Sequence, residues 1–291
     1  MNDVSTFEQH RPLLFAIAYR MLGGVAEAED MVQETFVRWQ NRTQEKIQSV
    51  KALLTTIITR LCIDHLRSAR HRREHYVGVW LPEPLLIDEN GDPAKAAELA
   101  DSLTNAFLLI VETLSPVERA VFLLREVFDY DFPEVSQILG KSEDNCRQLL
   151  VRARKRLAGR RPRFHADAAQ AERLVNRFFQ ACEQGDREVL LSLVTDDAAI
   201  YSDGGGKVPA ARQPILGAER VARFFINIHR LAPPGSRASY VTINAEPGVL
   251  VFVNGRLEQS MTFEISEGRI HAVYVVRNPD KLKHLAKQNE L

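Results

Sequence analysis

Apolar residues recur at intervals of three and four through Phe7 to Leu22, Ala26 to Trp39 and Lys51 to Arg73. That spacing places them on one side of a helix and predicts three amphipathic helices in one compact helical domain. Gly23-Gly24 and the polar stretch Asn41 to Ser49 separate them. The pattern breaks between Tyr76 and Pro93, where Pro, Gly and acids accumulate. Trp80-Leu81-Pro82-Glu83-Pro84-Leu85 cannot be helical, because each proline forces its predecessor toward extended geometry. This segment reads as a linker, and its Trp and Leu residues predict that it docks rather than hangs free. Helical periodicity returns from Ala94 to Leu157. Within it, Ser115 and Glu118 form a capping box around Pro116. A further helix starts at Pro133 and runs through Val135, Ile138 and Leu139 to Gly140. Ser142 then caps a helix whose Cys146, Leu149, Leu150, Ala153 and Leu157 share a face. Arg160-Arg161-Pro162 closes this second helical domain.

The remainder follows a different pattern. Ala168 to Gln184 is an amphipathic helix, Gly185-Asp186 a turn and cap, and Arg187 to Val194 a short helix. Strand-like runs follow at Ala198 to Ser202, Ala238 to Ala245, Val249 to Val253, Leu257 to Ile265 and Ile270 to Val276. A helix at Glu219 to Leu231 separates the first two, and Asn254-Gly255 and Glu267-Gly268 supply turns. The expected architecture is multidomain: two all-α helical domains, then an α+β domain with a curved antiparallel sheet able to enclose a pocket. The boundaries fall at residues 1–75, a linker at 76–99, 100–162 and 165–291.

Charge changes this picture locally, not globally. The 291 residues carry a formal net charge of +0, so the whole-chain balance does not announce a nucleic-acid partner. Yet between Arg147 and Arg161 there are seven Lys or Arg and no acid, whereas Glu27, Glu29, Asp30 and Glu34 form an acidic block. The outward face of the helix after Ser142 presents Arg147, Gln148, Val151, Arg152, Lys155 and Arg156, as suits a recognition helix. A solvated helix of an ordinary bundle is the alternative. Cys62, Cys146 and Cys182 lack the spacing of a zinc site and read as buried thiols, so neither a metal nor a cofactor is expected. No apolar stretch approaches the roughly 20 residues of a membrane span, and Asp3 and Glu8 are unlike a signal peptide, which predicts a cytoplasmic protein.

Three segments in order carry a resemblance. Ala26-Glu27-Ala28-Glu29-Asp30-Met31-Val32-Gln33-Glu34-Thr35-Phe36 resembles sigma region 2.2, Thr59 to Arg70 resembles regions 2.3 and 2.4, and the helix-turn-helix resembles region 4. Together they resemble the extracytoplasmic-function sigma factors of bacterial RNA polymerase over nearly the whole chain. The resemblance implies a non-enzymatic initiation factor. Asp30, Gln33, Glu34 and Arg38 would hold polymerase core at the beta-prime clamp helices, with the beta flap as a second contact. Arg60, Asp64, Arg67 and Arg70 would engage the -10 element, and the outward face of the recognition helix the -35 element. Clustered arginines that neutralise phosphates make such binding salt-sensitive, and Arg147 and Arg152 are the expected base readers. Leu53 to Leu61 lacks the aromatic residue that usually stacks unpaired bases, and Glu143-Asp144-Asn145-Cys146 is more acidic than usual for region 4.

Trp80-Leu81-Pro82-Glu83-Pro84, Asp203-Gly204-Gly205-Gly206-Lys207 and Asn278-Pro279-Asp280-Lys281-Leu282 narrow the resemblance to the subgroup with a fused SnoaL-like domain. There the extra domain takes part in controlling the sigma core. The glycine run is not a phosphate loop, because Val208-Pro209 replaces the hydroxyl residue and helix start that such a loop needs. A docking loop for the linker or the tail fits better, since glycines permit close backbone approach. SnoaL-like folds also serve as cyclases and isomerases, so Tyr201, Asp203 and His271 are an alternative catalytic set. A ligand sensor without chemistry, or an adaptor that only binds DNA, is a further alternative.

Overall fold

In a computed structural model the chain is described at residues 3–41, 49–73, 76–86, 102–158 and 168–288. The expected helix ending before Arg160 begins, in part, outside these residues, as do the linker beyond 86 and the Arg160-Arg161-Pro162 stop. The chain divides into two compact units, Met1–His75 with Phe107–Arg161, and Tyr76–Ala106 with Pro162–Leu291.

The first unit is helical: α1 (Asp3–Leu22), α2 (Val25–Gln40), α3 (Val50–Arg73), α4 (Asn105–Glu112, continuing from the second unit), α5 (Pro116–Glu126), α6 (Phe132–Leu139) and α7 (Glu143–Leu157). The starts of α5, α6 and α7 have local causes. Ser115 and Glu118 form the expected capping box of α5. A second one, Asp131 with Glu134, starts α6 at Phe132, one residue before the proline. Gly140 ends α6 in the left-handed region at φ 62°, where a side chain is strained, and Ser142 caps α7 by accepting from the Asn145 N–H. Val121, Leu124, Tyr130, Val135, Ile138, Cys146 and Leu150 pack together as the core of α5 to α7. No described helix is long and apolar enough to cross a membrane.

The second unit contains α8 (Ala168–Gln184), α9 (Arg187–Leu193), β1 (Val194–Asp203), β2 (Ile215–Leu216), α10 (Ala218–Arg230), β3 (Ser236–Ile243), β4 (Glu246–Val253), β5 (Arg256–Ser266), β6 (Arg269–Val276) and α11 (Pro279–Gln288). The strand order is β2-β1-β6-β5-β4-β3. All pairs are antiparallel except β1 with β6, because the chain returns to β1 only after traversing the rest of the sheet. Asn254-Gly255 and Glu267-Gly268 have positive φ at both residues, as two-residue hairpins of right-handed strands require. A third such turn, Asn244-Ala245, ends the expected strand Ala238 to Ala245 two residues early, at Ile243.

Strand alternation gives the sheet two different faces. One carries Val249, Met261, Phe263, Val273 and Val275 and packs under α8, α9 and α10. Phe178 fills the space between, edge-on to Phe225 at 4.9 Å and to Phe263 at 6.0 Å between ring centroids. The other face carries Tyr201, Asp203, Glu246, Thr262, Glu264 and Tyr274, and Asp203, Glu246, Thr262 and Tyr274 are all buried there. Residues 76–86 and 102–105 supply partners for Asp203, Glu246 and Thr262, while Tyr274 donates to Glu264 on the same face at 2.7 Å.

Candidate nucleic-acid interface and linker clamp

On α7, burial of Cys146, Leu150 and Ala153 turns the opposite side outward. Arg147, Gln148, Val151, Arg152, Lys155 and Arg156 are all exposed, Val151 at 63 %. Their electrostatic states differ. Arg147 pairs within its own helix with Glu143 at 2.7 Å and Asp144 at 3.0 Å, and lies over the Phe132 ring at 4.9 Å. Arg156 donates at 2.7 Å to Glu118, a carboxylate only 4 % exposed. Burial pushes the Glu118 carboxyl up, but the Ser115 hydrogen bonds and the Arg156 and Arg152 charges outweigh it and hold the group below its ordinary range. Arg152 and Lys155 have no ion pair among the described residues.

On α2, Ala28, Val32, Thr35 and Trp39 are buried. Asp30, Gln33 and Arg38 are exposed and Glu34 half-buried, with Glu34 accepting from Arg38 at 2.8 Å. On α3, Arg67 donates to Asp64 at 3.3 Å, and the Arg70 side chain lies outside the described residues. Arg60 has a different environment from the rest of the basic row: its Nε donates at 3.0 Å to the Ile138 carbonyl at the end of α6. Sequence periodicity could not reveal this, since the partner is a main-chain atom 78 residues away. Thr55 and Tyr130 share a buried hydroxyl hydrogen bond of 3.0 Å, and Arg119 donates at 2.6 Å to the Met21 carbonyl. These contacts join the α1–α3 bundle to α5 and α6. Buried Arg20, over the Phe128 ring at 5.5 Å, belongs to the same seam, and burial lowers its pKa to about 10.

The three strings singled out in the second unit converge on one carboxylate. Asp203 is fully buried. Its Oδ2 accepts from the Leu81 N–H at 2.9 Å and from Lys281 Nζ at 2.8 Å, and its Oδ1 from the Tyr76 hydroxyl at 2.6 Å and the Gly205 N–H at 2.9 Å. A carboxylate has about four acceptor positions, and all are used. Lys281 also donates to the Leu81 carbonyl and lies over the Trp80 ring at 4.4 Å. Asn278 donates to the Tyr76 hydroxyl at 3.0 Å and caps α11 through the Asp280 N–H, while Lys207 pairs with Asp280. His284 donates to the Pro84 carbonyl at 2.7 Å. Gly205 explains its own residue type: at φ +61°, an added Cβ would lie 2.3 Å from the Asn278 amide nitrogen. Leu81, Pro82 and Pro84 are buried, Glu83 is half-buried, and Leu282 on α11 is buried.

A second fastening was not legible beforehand. Leu85 exchanges two main-chain-directed bonds with Asn244, its N–H donating to Oδ1 at 2.7 Å and its carbonyl accepting from the Asn244 N–H at 2.8 Å. The Asn105 N–H and side-chain amide donate to Glu246 Oε2 at 2.9 and 3.1 Å, and the amide also to Thr262 at 2.6 Å. Burial, reinforced by the charge of Glu264 and opposed by the Asn105 bonds, pushes the Glu246 carboxyl up to about 8 from 4.5. A folded-state pKa above the unfolded one gives stability that is complete below about pH 4.5 and is lost as pH rises through about 8. Denaturation of the full chain is therefore expected to show a falling midpoint between those pH values. Glu246→Gln is expected to flatten the dependence, and an unchanged slope in that variant would assign it to other groups.

The alternative catalytic set does not assemble. Asp203 is saturated by the linker, and Tyr201 stacks on Tyr274 at 5.3 Å. His271 sits at an irregularity of β6 and contacts Thr195 at 3.2 Å and Asp197 at 3.4 Å, beside the other end of β1. Thr195 and Asp203 lie toward opposite ends of that strand, beside Ile270 and Val276 of β6 respectively. All three cysteines are buried, and burial raises each thiol, Cys182 to about 12.

Models of Sigma-70 region 2 and Sigma-70 region 4 match residues 6–72 and 104–157. The chain is 35 % identical over 290 residues to the ECF RNA polymerase sigma factor SigJ of Mycobacterium tuberculosis, covering 96 % of this chain and 93 % of that protein. It is 30 % identical over 284 residues to the probable ECF RNA polymerase sigma factor SigI of the same species, covering 97 % and 95 %. The crystal structure of M. tuberculosis SigJ superposes with a TM-score of 0.77 at 33 % identity, over 96 % of this chain and 98 % of that one.

Proposed function

Because the chain belongs to the extracytoplasmic-function family of RNA polymerase sigma factors, we propose that its modules 1–75 and 100–162 divide promoter recognition between them, under control of the module at 165–291 through the linker 76–99. Like its family, it is an initiation factor for RNA polymerase rather than an enzyme. In this reading it acts in the cytoplasm. Asp30, Gln33, Glu34 and Arg38 meet the beta-prime clamp helices of core polymerase, and α7 packs near the beta flap while its outer face meets the -35 element. Arg60, Asp64, Arg67 and Arg70 serve the -10 element. Arg60 must first leave the Ile138 carbonyl, so the joined state of the two helical modules is a resting state that promoter binding opens.

The observation that carries the promoter reading is the pair of cations without an ion pair among the described residues, Arg152 and Lys155, on the exposed side of a capped helix-turn-helix. Arg152 acts on Glu118 through its charge without a direct ion pair, so it surrenders less when it binds a base edge than Arg147, which must exchange two carboxylates for DNA. Arg152→Ala is expected to cost about 1 to 3 kcal/mol on the preferred promoter and to relax discrimination at one base pair. Run-off transcription with core polymerase on a set of single-base promoter variants measures it. An equal loss on every variant would make Arg152 a phosphate contact instead.

The clamp on Asp203 supports the regulatory part of the reading. A linker whose main chain is held by a saturated buried carboxylate has a defined bound state, and its release changes the freedom of both flanking modules. A sensor role for the C-terminal module is the second reading. The phenylalanines that fill the space under α8 to α10 favour a packed regulator over a ligand cavity.

A further inference from the structure

On the helical side of the C-terminal module, away from the linker clamp, a groove of about 620 Å³ is lined by Arg187, Glu219, Arg220, Arg223, Asn227 and Arg230. Its origin lies in α10. Val221, Ala222, Phe225 and Ile226 bury one side of that helix, which turns Arg220, Arg223, Asn227 and Arg230 outward at steps of three, four and three. Those steps make a single stripe, about 15 Å long at 1.5 Å per residue. The one acid in the groove, Glu219, is already paired with Arg187, whose Nε donates to it at 3.1 Å. Among the described residues Arg220, Arg223 and Arg230 have no ion pair. Some exposed arginines elsewhere are matched, as in Arg38 with Glu34, Arg67 with Asp64 and Arg154 with Glu126, while Arg152 on α7 is not; what sets α10 apart is three such arginines in one row.

Arg220 and Arg223, one turn apart, repel each other, while Arg230 in the last turn is favoured by the helix dipole, so the helix does not need the row as a whole. We propose that it is a further nucleic-acid contact, by which the C-terminal module grips the phosphates of duplex DNA flanking the promoter. The inference rests on the family's promoter function but assigns DNA contact to a module outside the two sigma regions. The stripe matches a polymer better than a small anion. Its arginines are open to solvent instead of converging in an enclosed cavity, and one strand presents a phosphate about every 3.4 Å of helix axis, about four along such a row. Arginine and asparagine are both phosphate-contacting side chains.

The test compares holoenzyme assembled from the full chain with that from the triple variant R220Q/R223Q/R230Q. Each is titrated, over a series of salt concentrations, against a minimal promoter duplex and one extended by two helical turns, about 20 base pairs, on each side. Glutamine preserves helix propensity at exposed positions, so the fold is retained. The wild-type slope of log affinity against log salt is expected to be steeper on the extended duplex by about 2 to 3, at about 0.9 per phosphate, and the triple variant should lose that increment alone. Equal slopes for variant and wild type on the extended duplex would overturn the proposal. Weakened assembly with core polymerase at unchanged DNA slopes would also overturn it, and would assign the stripe to an acidic protein surface. Arg152→Ala, run in parallel, weakens binding to both duplexes. Its failure to do so would count against the promoter reading of α7 and leave the triple-variant comparison intact.

Discussion

Asp203→Asn is expected to cost the C-terminal unit about 3 to 5 kcal/mol, the range for removing one partner of a buried ion pair. The substitution changes almost no volume, so the cost is electrostatic. Asparagine offers one accepting oxygen where the carboxylate uses two, and its amide nitrogen would face one pair of donors, either Lys281 Nζ with the Leu81 N–H or the Tyr76 O–H with the Gly205 N–H. Lys281, with a side chain only 8 % exposed, would keep its charge with no carboxylate beside it. Denaturation of the full chain measures the loss, and hydrogen exchange at the Leu81 amide locates it. That amide is expected to exchange slowly in wild type and fast in the variant. Adding Lys281→Met should recover part of the stability, because removing both charges is far less costly than removing one. Slow exchange at Leu81 in Asp203→Asn would mean that the linker is held by its apolar contacts, and the regulatory reading would lose its switch. A promoter output that changes with exchange at Leu81 would join the clamp to function.

Phe178→Ala is the second large effect, expected at about 3 to 5 kcal/mol. Its ring is fully buried and meets Phe179, Phe225 and Phe263 at centroid distances of 5.8, 4.9 and 6.0 Å, so truncation removes one member from three edge-on pairs and leaves a cavity. A melting temperature lower by about 10 °C or more follows for a domain of this size. The loss should be confined to the C-terminal unit, since no residue of this cluster belongs to α1 to α7. A variant as stable as wild type would show that the space under α8 to α10 relaxes freely. That outcome would revive the ligand-sensor reading, because a site that tolerates an added void is one built to hold a guest.

The amino-acid sequence by itself determined the elements and their order. Helix starts are local: Ser115 with Glu118, and Ser142, satisfy main-chain groups within three residues, so they are readable without a structure. The same holds for the Asn254-Gly255 and Glu267-Gly268 turns. The capping box of Asp131 and Glu134 was equally local, and reading Pro133 as the start simply overlooked it. The exposed row on α7 also follows from periodicity, which fixes directions within one helix. Tertiary structure alone decided the rest, because it depends on atoms far apart in the chain. Asn244-Ala245 turns without a glycine, and the Asn244 side chain and N–H are bound to Leu85, 159 residues earlier. Arg60 looks like any basic residue of α3 until the Ile138 carbonyl appears beside it. Asp203, Leu81 and Lys281 stand in three separate strings, with Tyr76 outside them, and only the sheet face that gathers them makes one carboxylate the end point of all three.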